Sequence, residues 1–262
     1  MDWRKAAALT ALAGVAAGPC RASSPVCFTG PEVVKMDWNT LALRIADIDG
    51  DGRNDLAMID NDSGKIELLI QNNQGSARHK ERRAVKRSRW EPVLEDASFW
   101  HDSVTMGGYG FDMVVGDFNG DARPDIAFTG SLTSLTIRFQ SAEGTWDESW
   151  TYTNFKARQW GSTMEACDVD KDGKTDLVLM SDDELMVFRQ GTQAMEEPRR
   201  YRLAAGPASR LLMSDVNGDG MPDALFMSGS DRFRRLSMRL QQSPGRFGPE
   251  IGFPLPTGSI GL

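Results

Sequence analysis

Histidine, cysteine and tyrosine are scarce in this chain of 262 residues, which holds 2 His, 3 Cys and 3 Tyr. With only His79 and His101 present, a histidine-centred catalytic triad has little material to be built from. The sequence also lacks a Gly-x-Ser-x-Gly elbow, a phosphate-binding loop and a His-Glu-x-x-His zinc motif. It therefore predicts a protein that is not an enzyme and that has no catalytic residues.

Long apolar runs are missing beyond the N-terminus, so no segment there is long enough to span a bilayer. Residues 1–22 are typical of a secretion signal, because Arg4 and Lys5 precede an alanine-rich apolar run and small residues follow it. A lipoprotein needs a cysteine directly after the cleavage site, and Cys20 could serve as that residue. A lipoprotein is therefore an alternative to soluble export. We expect a secreted protein, extracellular or on the cell surface, with the periplasm as an alternative.

Aspartate, by contrast, is abundant and regularly spaced. Four segments, here called loops 1 to 4, begin with Asp, carry Asp or Asn at the third position, and carry Asp at the fifth and ninth positions. Alternating carboxylates on a tight, glycine-containing loop converge their oxygens on one point, which attracts a hard cation with six to eight oxygen ligands. Without a cation these like charges repel one another at short range. The predicted side-chain ligands of up to four Ca²⁺ ions are Asp47, Asp49, Asp51 and Asp55; Asp117, Asn119, Asp121 and Asp125; Asp168, Asp170, Asp172 and Asp176; and Asp215, Asn217, Asp219 and Asp223.

The flanking residues exclude an EF-hand, a dockerin and a thrombospondin type 3 loop. Those loops need an acidic group at position 12, where this chain has Met58, Phe128, Leu179 and Phe226. A short apolar run precedes each first Asp, and another follows each ninth Asp. Runs of this length bounded by Gly and Asp are typical of strands. The repeated unit is thus predicted to be strand, loop, strand, with a small residue packed before each loop: Ala46, Gly116, Cys167 and Ser214.

This pattern resembles the FG-GAP/VCBS repeat, the blade unit of β-propellers such as the integrin α-subunit head. The similarity spans roughly residues 32 to 253 and is best from Tyr109 to Asp125. It implies an all-β propeller, or an incomplete propeller segment, of four-stranded antiparallel blades with calcium between the first two strands. It also implies a bidentate ninth Asp and a carbonyl ligand from the seventh residue, which is Arg53, Arg123, Lys174 or Met221. Ala122 departs from the glycine of the other loops and weakens that turn.

Successive loops begin 70, 51 and 47 residues apart, and the last two steps suit one blade each. The excess in the first step is a basic insertion at residues 75–97. This insertion is either a docking arm for an acidic partner or, as we favour, a solvated loop. It lacks the interleaved aromatic residues that are typical of nucleic-acid binders, so no nucleic-acid partner is expected. In the last unit, residues 234–240 and 247–253 are predicted to hold the third and fourth strands.

Residues 23–262 are thus assigned to repeats, but four units are few for a closed ring. Either a fifth blade forms with residues 31–40 or, as we favour, further blades or other domains lie beyond the C-terminus.

The expected function is a binding or adhesion scaffold for an extracellular protein or glycan. The alternative is a lectin-like propeller or an accessory module of a carbohydrate-active enzyme, because five aromatic rings crowd into residues 146–160. These rings either pack between blades, which we favour, or include at least one that faces a ligand. They are Trp146, Trp150, Tyr152, Phe155 and Trp160.

Overall fold

The computed structural model of the chain describes residues 36, 38–71, 99–130, 133–159, 161–192, 195–204, 206–229 and 234–255. The secretion signal, the basic insertion, Trp160 and residues 31–35 lie outside the described residues. Regular secondary structure in the described part consists of strands, without a helix. That part accordingly offers no helix of the length and apolarity that crossing a bilayer requires.

Sixteen of the described strands form four antiparallel sheets, here called blades 1 to 4, in which neighbouring strands follow chain order. Blade 1 contains β1 (Thr40–Ala46), β2 (Asp55–Asp60), β3 (Lys65–Gln71) and β4 (Phe99–Thr105). Blade 2 contains β5 (Gly110–Gly116), β6 (Asp125–Gly130), β7 (Ser134–Phe139) and β8 (Glu148–Tyr152). Blade 3 contains β9 (Met164–Cys167), β10 (Asp176–Met180), β11 (Glu184–Phe188) and β12 (Arg199–Arg202).

Blade 4 repeats this plan with one elaboration. Its strands are β13 (Ala208–Ser214), β14 (Asp223–Ser228), β15 (Arg235–Arg239) and β18 (Ile251–Pro254). A small hairpin of β16 (Gln241–Ser243) and β17 (Arg246–Phe247) lies between β15 and β18. Phe247 therefore belongs to this hairpin, and the fourth strand begins only at Ile251. The predicted all-β class, the four-stranded antiparallel blades and the position of each loop between the first two strands are confirmed.

The apolar core lies between blades, in three clusters that each combine side chains of two consecutive blades. At the junction of blades 2 and 3, for example, Phe118 and Ile137 pack with Leu177 and Phe188. Strand alternation explains this arrangement, because β2, β6 and β10 are buried on both faces and present apolar side chains to both neighbours. Each blade thus depends on its neighbours for burial of its apolar surface.

A buried carboxylate, Asp112, joins the first strands of three blades. Its Oδ1 pairs with Arg44 Nη2 of blade 1 at 2.7 Å. Its Oδ2 accepts hydrogen bonds from the backbone N–H groups of Thr163 (2.6 Å) and Met164 (3.0 Å) at the start of β9. Burial raises the pKa of Asp112, although Arg44 and the three backbone N–H groups that it accepts oppose that shift. The first strands are therefore held together by hydrogen bonds as well as by apolar packing.

Candidate metal centre

The first Asp of each loop folds the backbone around its own carboxylate. In loop 1, Asp47 Oδ1 accepts the N–H groups of Gly50 (2.9 Å) and Asp51 (3.0 Å), and Oδ2 accepts that of Gly52 (2.9 Å). The first residues of loops 2 and 4, Asp117 and Asp215, accept the same three bonds. This carboxylate therefore sets the path of the loop, whether or not it also binds a cation.

The third and fifth positions add two Asx-type turns. In loops 1, 2 and 4 the third side chain accepts the N–H of the fifth residue, as in Asp49 Oδ1 to Asp51 N at 3.1 Å. In all four loops the fifth carboxylate accepts the N–H of the seventh residue, at 2.8–3.0 Å. In loops 2 and 4 the third residue is Asn, and its Nδ2 also donates to the fifth Asp, in loop 2 from Asn119 to Asp121 at 2.8 Å.

The ninth Asp is buried in every loop and connects two distant parts of its blade. In loop 1, Asp55 Oδ2 accepts the N–H of Ile48 at 2.8 Å, and Oδ1 accepts that of Gln71 at 2.7 Å. The corresponding bonds in the other loops span 2.7–3.1 Å. Each oxygen keeps a further lone pair, so this residue can also contact a cation.

A glutamine at the end of the third strand was missed by sequence reasoning. The N–H that reaches the ninth Asp belongs to Gln in all four blades: Gln71, Gln140, Gln190 and Gln241. Three of these side chains bind loop backbone. Gln241 Nε2 donates to Pro222 O at 2.7 Å, Gln140 Nε2 donates to Ile48 O at 3.0 Å, and Gln190 Oε1 accepts the N–H of Thr175 at 3.2 Å. The recurring Gln is visible in the sequence, but it lies 14 to 18 residues after the ninth Asp, and this variable spacing conceals it.

Two of the loops bring three carboxylates together. In loop 1, single oxygens of Asp47, Asp49 and Asp55 lie within 4.8 Å of one another, and in loop 3 the first, third and ninth Asp do the same. The fifth Asp is not part of either group. Two buried oxygens in these loops, Asp51 Oδ2 and Asp170 Oδ1, have no hydrogen-bond partner. Converging, partly unsatisfied carboxylate oxygens fit a hard divalent cation such as Ca²⁺.

Basic side chains compete for the same carboxylates. Arg123, the seventh residue of loop 2, forms an ion pair with Asp121 and also donates from Nε to Gln140 O at 2.9 Å. Lys174 lies 3.6 Å from Asp172 in loop 3, and Arg189 Nη1 lies 3.1 Å from Asp170 Oδ2. The negative charge of loops 2 and 3 is therefore partly balanced by the protein itself.

Burial raises the pKa of the ninth carboxylate in loops 1, 2 and 3. The pKa of Asp125 and that of Asp176 rise to about 6, and the pKa of Asp55 rises as well. Loss of hydration is the main cause and neighbouring loop carboxylates add to it, whereas the two backbone hydrogen bonds oppose it. A bound cation would reverse this effect by favouring the ionised form.

The small residue before each loop was predicted to lie where backbone segments come close together, and Gly116 lies where blade 2 approaches blade 3 closely. A Cβ atom there would lie 2.9 Å from Thr175 Cγ2 of loop 3 and 3.4 Å from Ala166 Cβ. Cys167 occupies the same position in blade 3 and forms no disulfide with a described residue. Its pKa is raised to about 12, chiefly by burial, so its thiol stays protonated and packs as a small apolar group.

The four described rings of the aromatic cluster all pack against apolar clusters between blades, and one of them also lines a groove. Tyr152 lies edge-on to Phe188 of blade 3 at 5.1 Å between ring centroids, with Trp150 beside it, and Phe155 stacks on Tyr152. These rings fill the space between blades 2 and 3. Trp146 packs against the cluster between blades 1 and 2, and it also lines a groove of about 390 Å³ with Arg138. Trp160 lies outside the described residues.

The FG-GAP-like repeat family matches residues 47–128, 117–179 and 168–226, which together span more than half of the chain. The chain belongs to this family. The four sheets are accordingly FG-GAP blades, and the chain is a β-propeller-like module.

Other comparisons give distant similarities. No curated protein matches the chain. Among solved structures, it is similar to the Tc holotoxin pore of Photorhabdus luminescens, with 16% identity, a TM-score of 0.37, and coverage of 77% of this chain and 8% of that one. It is also similar to BBS1N in complex with ARL6DN, with 10% identity, a TM-score of 0.49, and coverage of 82% of this chain and 57% of that one. The chain thus spans little more than half of one of these proteins and a small part of the other.

The loop backbone predicts a stabilising substitution. The fourth and sixth residues of every loop have positive φ, and two of them are not glycine: Ala122 (φ 64°) and Lys171 (φ 63°). Ala122→Gly should raise the free energy of unfolding by about 0.5–1 kcal/mol, because removing Cβ strain outweighs the added entropy of the unfolded chain. Gly52→Ala should lower it by about 1 kcal/mol through φ alone, since a Cβ there meets no atom within 4 Å. Urea unfolding measures both, and a destabilising Ala122→Gly would contradict this account.

The raised carboxylate pKa values predict the sign of the pH dependence. The folded-state pKa of Asp125 and Asp176, about 6, exceeds the ordinary value of 3.8, so the folded protein binds protons more tightly than the unfolded chain. In chelator, the free energy of unfolding should therefore rise as the pH falls from 7 towards 4. With saturating calcium the slope should reverse, because protons then displace the ion. Urea unfolding across this pH range in both buffers measures the slopes, and equal slopes would exclude a calcium-bound ninth Asp.

Proposed function

We propose that this FG-GAP module is an exported, calcium-stabilised scaffold that binds an extracellular protein or glycan and performs no catalysis. The observation that carries the proposal is the convergence of the first, third and ninth carboxylates of loops 1 and 3, together with the unpartnered buried oxygens Asp51 Oδ2 and Asp170 Oδ1. Calcium would be held by the first, third, fifth and ninth side chains and by the seventh carbonyl. Its role would be to neutralise and fix the loops, and the surfaces around them would bind partners.

Export fits this use of calcium. Loops of this kind suit the millimolar calcium found outside cells, where weak sites are still filled. The proposed signal at residues 1–22 supports secretion, with the cell surface or the periplasm as the other destinations. The formal net charge of the chain is −7, and fourteen aspartates lie in the loops. Up to four bound Ca²⁺ ions, with two positive charges each, would therefore bring the net charge of the protein close to zero.

Calcium binding is tested by stability and stoichiometry. Addition of calcium to the metal-free protein should raise the melting temperature, and each site at a hundredfold excess over Kd should contribute about 2.7 kcal/mol. Isothermal titration then counts sites. Asp170→Ala should remove the site of loop 3, whereas Asp170→Asn should keep it, because loops 2 and 4 carry Asn at the same position. A melting temperature that calcium leaves unchanged, in protein shown to be metal-free, would refute the structural role.

A second candidate function, glycan binding, is favoured by the groove beside Trp146. The groove lies between β4 and the turn that precedes β8, and it combines the indole with Arg138 and Asp147. Arg138 Nε is buried there without a hydrogen-bond partner. An aromatic face next to a guanidinium with one unsatisfied N–H is suited to a sugar ring, and about 390 Å³ lies within the usual range for ligand pockets.

A glycan array followed by titration tests this candidate. Any glycan retained should bind at least tenfold more weakly to Trp146→Ala and Arg138→Gln, because one removes the stacking face and the other the guanidinium donor. Tyr109→Ala, which removes an exposed ring outside the groove, should bind normally. Product analysis distinguishes a lectin from an enzyme. An array without any retained glycan, or a glycan whose binding these variants leave intact, would eliminate the groove as its site.

A further inference from the structure

Two loops carry an asparagine directly before a glycine at their third and fourth positions. These pairs are Asn119–Gly120 in loop 2 and Asn217–Gly218 in loop 4, and both asparagines are exposed, so water reaches their side chains. The backbone nitrogen that follows an asparagine can attack its side-chain amide carbon, because the two atoms close a small ring within one chain. Glycine hinders this attack least, since it has no side chain.

The contacts of Asn119 bring together the groups that such an attack needs. Gly120 N–H, the nucleophile, donates to Asp117 Oδ1 at 2.6 Å, so a base lies within reach of the proton that must leave. Asn119 Oδ1 accepts the N–H of Asp121 at 3.0 Å, which polarises the amide carbonyl and stabilises negative charge that develops on its oxygen. Asn119 Nδ2, the leaving nitrogen, donates to Asp121 Oδ2 at 2.8 Å.

Loop 4 repeats these contacts. Gly218 N–H donates to Asp215 Oδ1 at 2.7 Å, and Asp219 N–H donates to Asn217 Oδ1 at 2.9 Å. Asn217 Nδ2 donates to Asp219 Oδ2, also at 2.9 Å. The Asx-type turn in both loops folds the amide back over the peptide that follows it, so the hydrogen-bonded ring encloses the attacking nitrogen. Two separate loops thus hold the same reacting groups in the same contacts.

We propose that Asn119 and Asn217 are sites of deamidation, and that the folded loop promotes the reaction. Asp117 or Asp215 accepts the proton of the glycine nitrogen while this nitrogen bonds to the side-chain carbon. The bond from that carbon to Nδ2 then breaks, and the proton leaves with the nitrogen as ammonia, which gives a cyclic succinimide. Water opens this ring. Its addition at the side-chain carbonyl gives aspartate, and its addition at the backbone carbonyl gives isoaspartate.

The remaining asparagines of the described residues do not precede glycine. Asn54 and Asn61 each precede an aspartate, whose side chain hinders closure of the ring. The amide of Asn61 is also held by blade 2, because its Nδ2 donates to Gly110 O at 3.0 Å and its Oδ1 accepts the N–H of Gly110 at 2.7 Å. These two asparagines are therefore reference positions within the same chain.

The aspartate product changes the charge of its loop. It supplies the third carboxylate that loops 1 and 3 already have, where one oxygen each of the first, third and ninth residues lie within 4.8 Å of one another. The isoaspartate product instead adds a methylene group to the backbone, which displaces the N–H groups that the first Asp accepts. Deamidation therefore either gives loops 2 and 4 the residue pattern of loops 1 and 3 or disrupts them, depending on which carbonyl water attacks.

Peptide mapping by mass spectrometry tests the proposal on the full chain, incubated in chelator at neutral pH. In the folded protein Asn119 and Asn217 should deamidate at least tenfold faster than in the same chain unfolded in urea, because only the folded loop holds the base and the carbonyl donor in place. Asn54 and Asn61 should remain amides in the folded protein over the same period. Folded loops that react no faster than the unfolded chain would overturn the proposal, since the fold would then protect the amide.

Asp117→Asn tests the role of the base, because it removes the negative charge that accepts the Gly120 proton. The reaction at Asn119 should slow at least tenfold, whereas the rate at Asn217 in the same molecule should stay unchanged and is the internal control. An unchanged rate at Asn119 would also overturn the proposal. The incubation contains no calcium, so the outcome does not depend on whether the loops bind this ion.

Discussion

The buried carboxylate at the ninth loop position is the interaction on which each blade depends. Asp55 and its three counterparts accept one backbone N–H from the start of the loop and one from the end of the third strand. Asparagine has a similar shape, but its amide nitrogen can only donate, so it cannot accept from both N–H groups. The site therefore requires a carboxylate. Its burial places a negative charge where water cannot hydrate it, which is why the rest of the loop must supply donors, basic side chains or a cation.

The same interaction links the loop to the core. The N–H that the ninth Asp accepts belongs to the second loop residue, whose side chain enters the junction with the next blade in blades 1 to 3. Fixing this N–H fixes the direction in which Ile48, Phe118 or Val169 projects. Loop electrostatics and packing between blades are thus coupled through one residue. Neutralising the loop therefore also stabilises the packing of blades 1, 2 and 3 against the blade that follows each of them.

The sequence was sufficient to predict the repeated strands and loops, because carboxylate spacing and short apolar runs are local signals. It predicted the strands on both sides of each loop and indicated that Ala122 weakens its turn, which the positive φ of this residue explains. It did not reveal Asp112, which lies outside the motif and contacts residues of blades 1 and 3 far away along the chain. It also did not reveal that Trp146, which packs between blades 1 and 2, lines a groove as well, because the groove is formed with β4 of the preceding blade.

The four loops are close in sequence but are not equivalent as candidate cation sites. In loop 2 the guanidinium of Arg123 already pairs with the fifth carboxylate, and in loop 3 Lys174 and Arg189 lie close to two carboxylates. In loop 1 the seventh residue, Arg53, is exposed, and Asp51 Oδ2 is buried without a partner. Loop 4 has an uncharged seventh residue, Met221, and lies largely in solvent, where its charges are hydrated. Because a cation and a basic side chain neutralise the same oxygens, affinity depends on residues outside the shared motif.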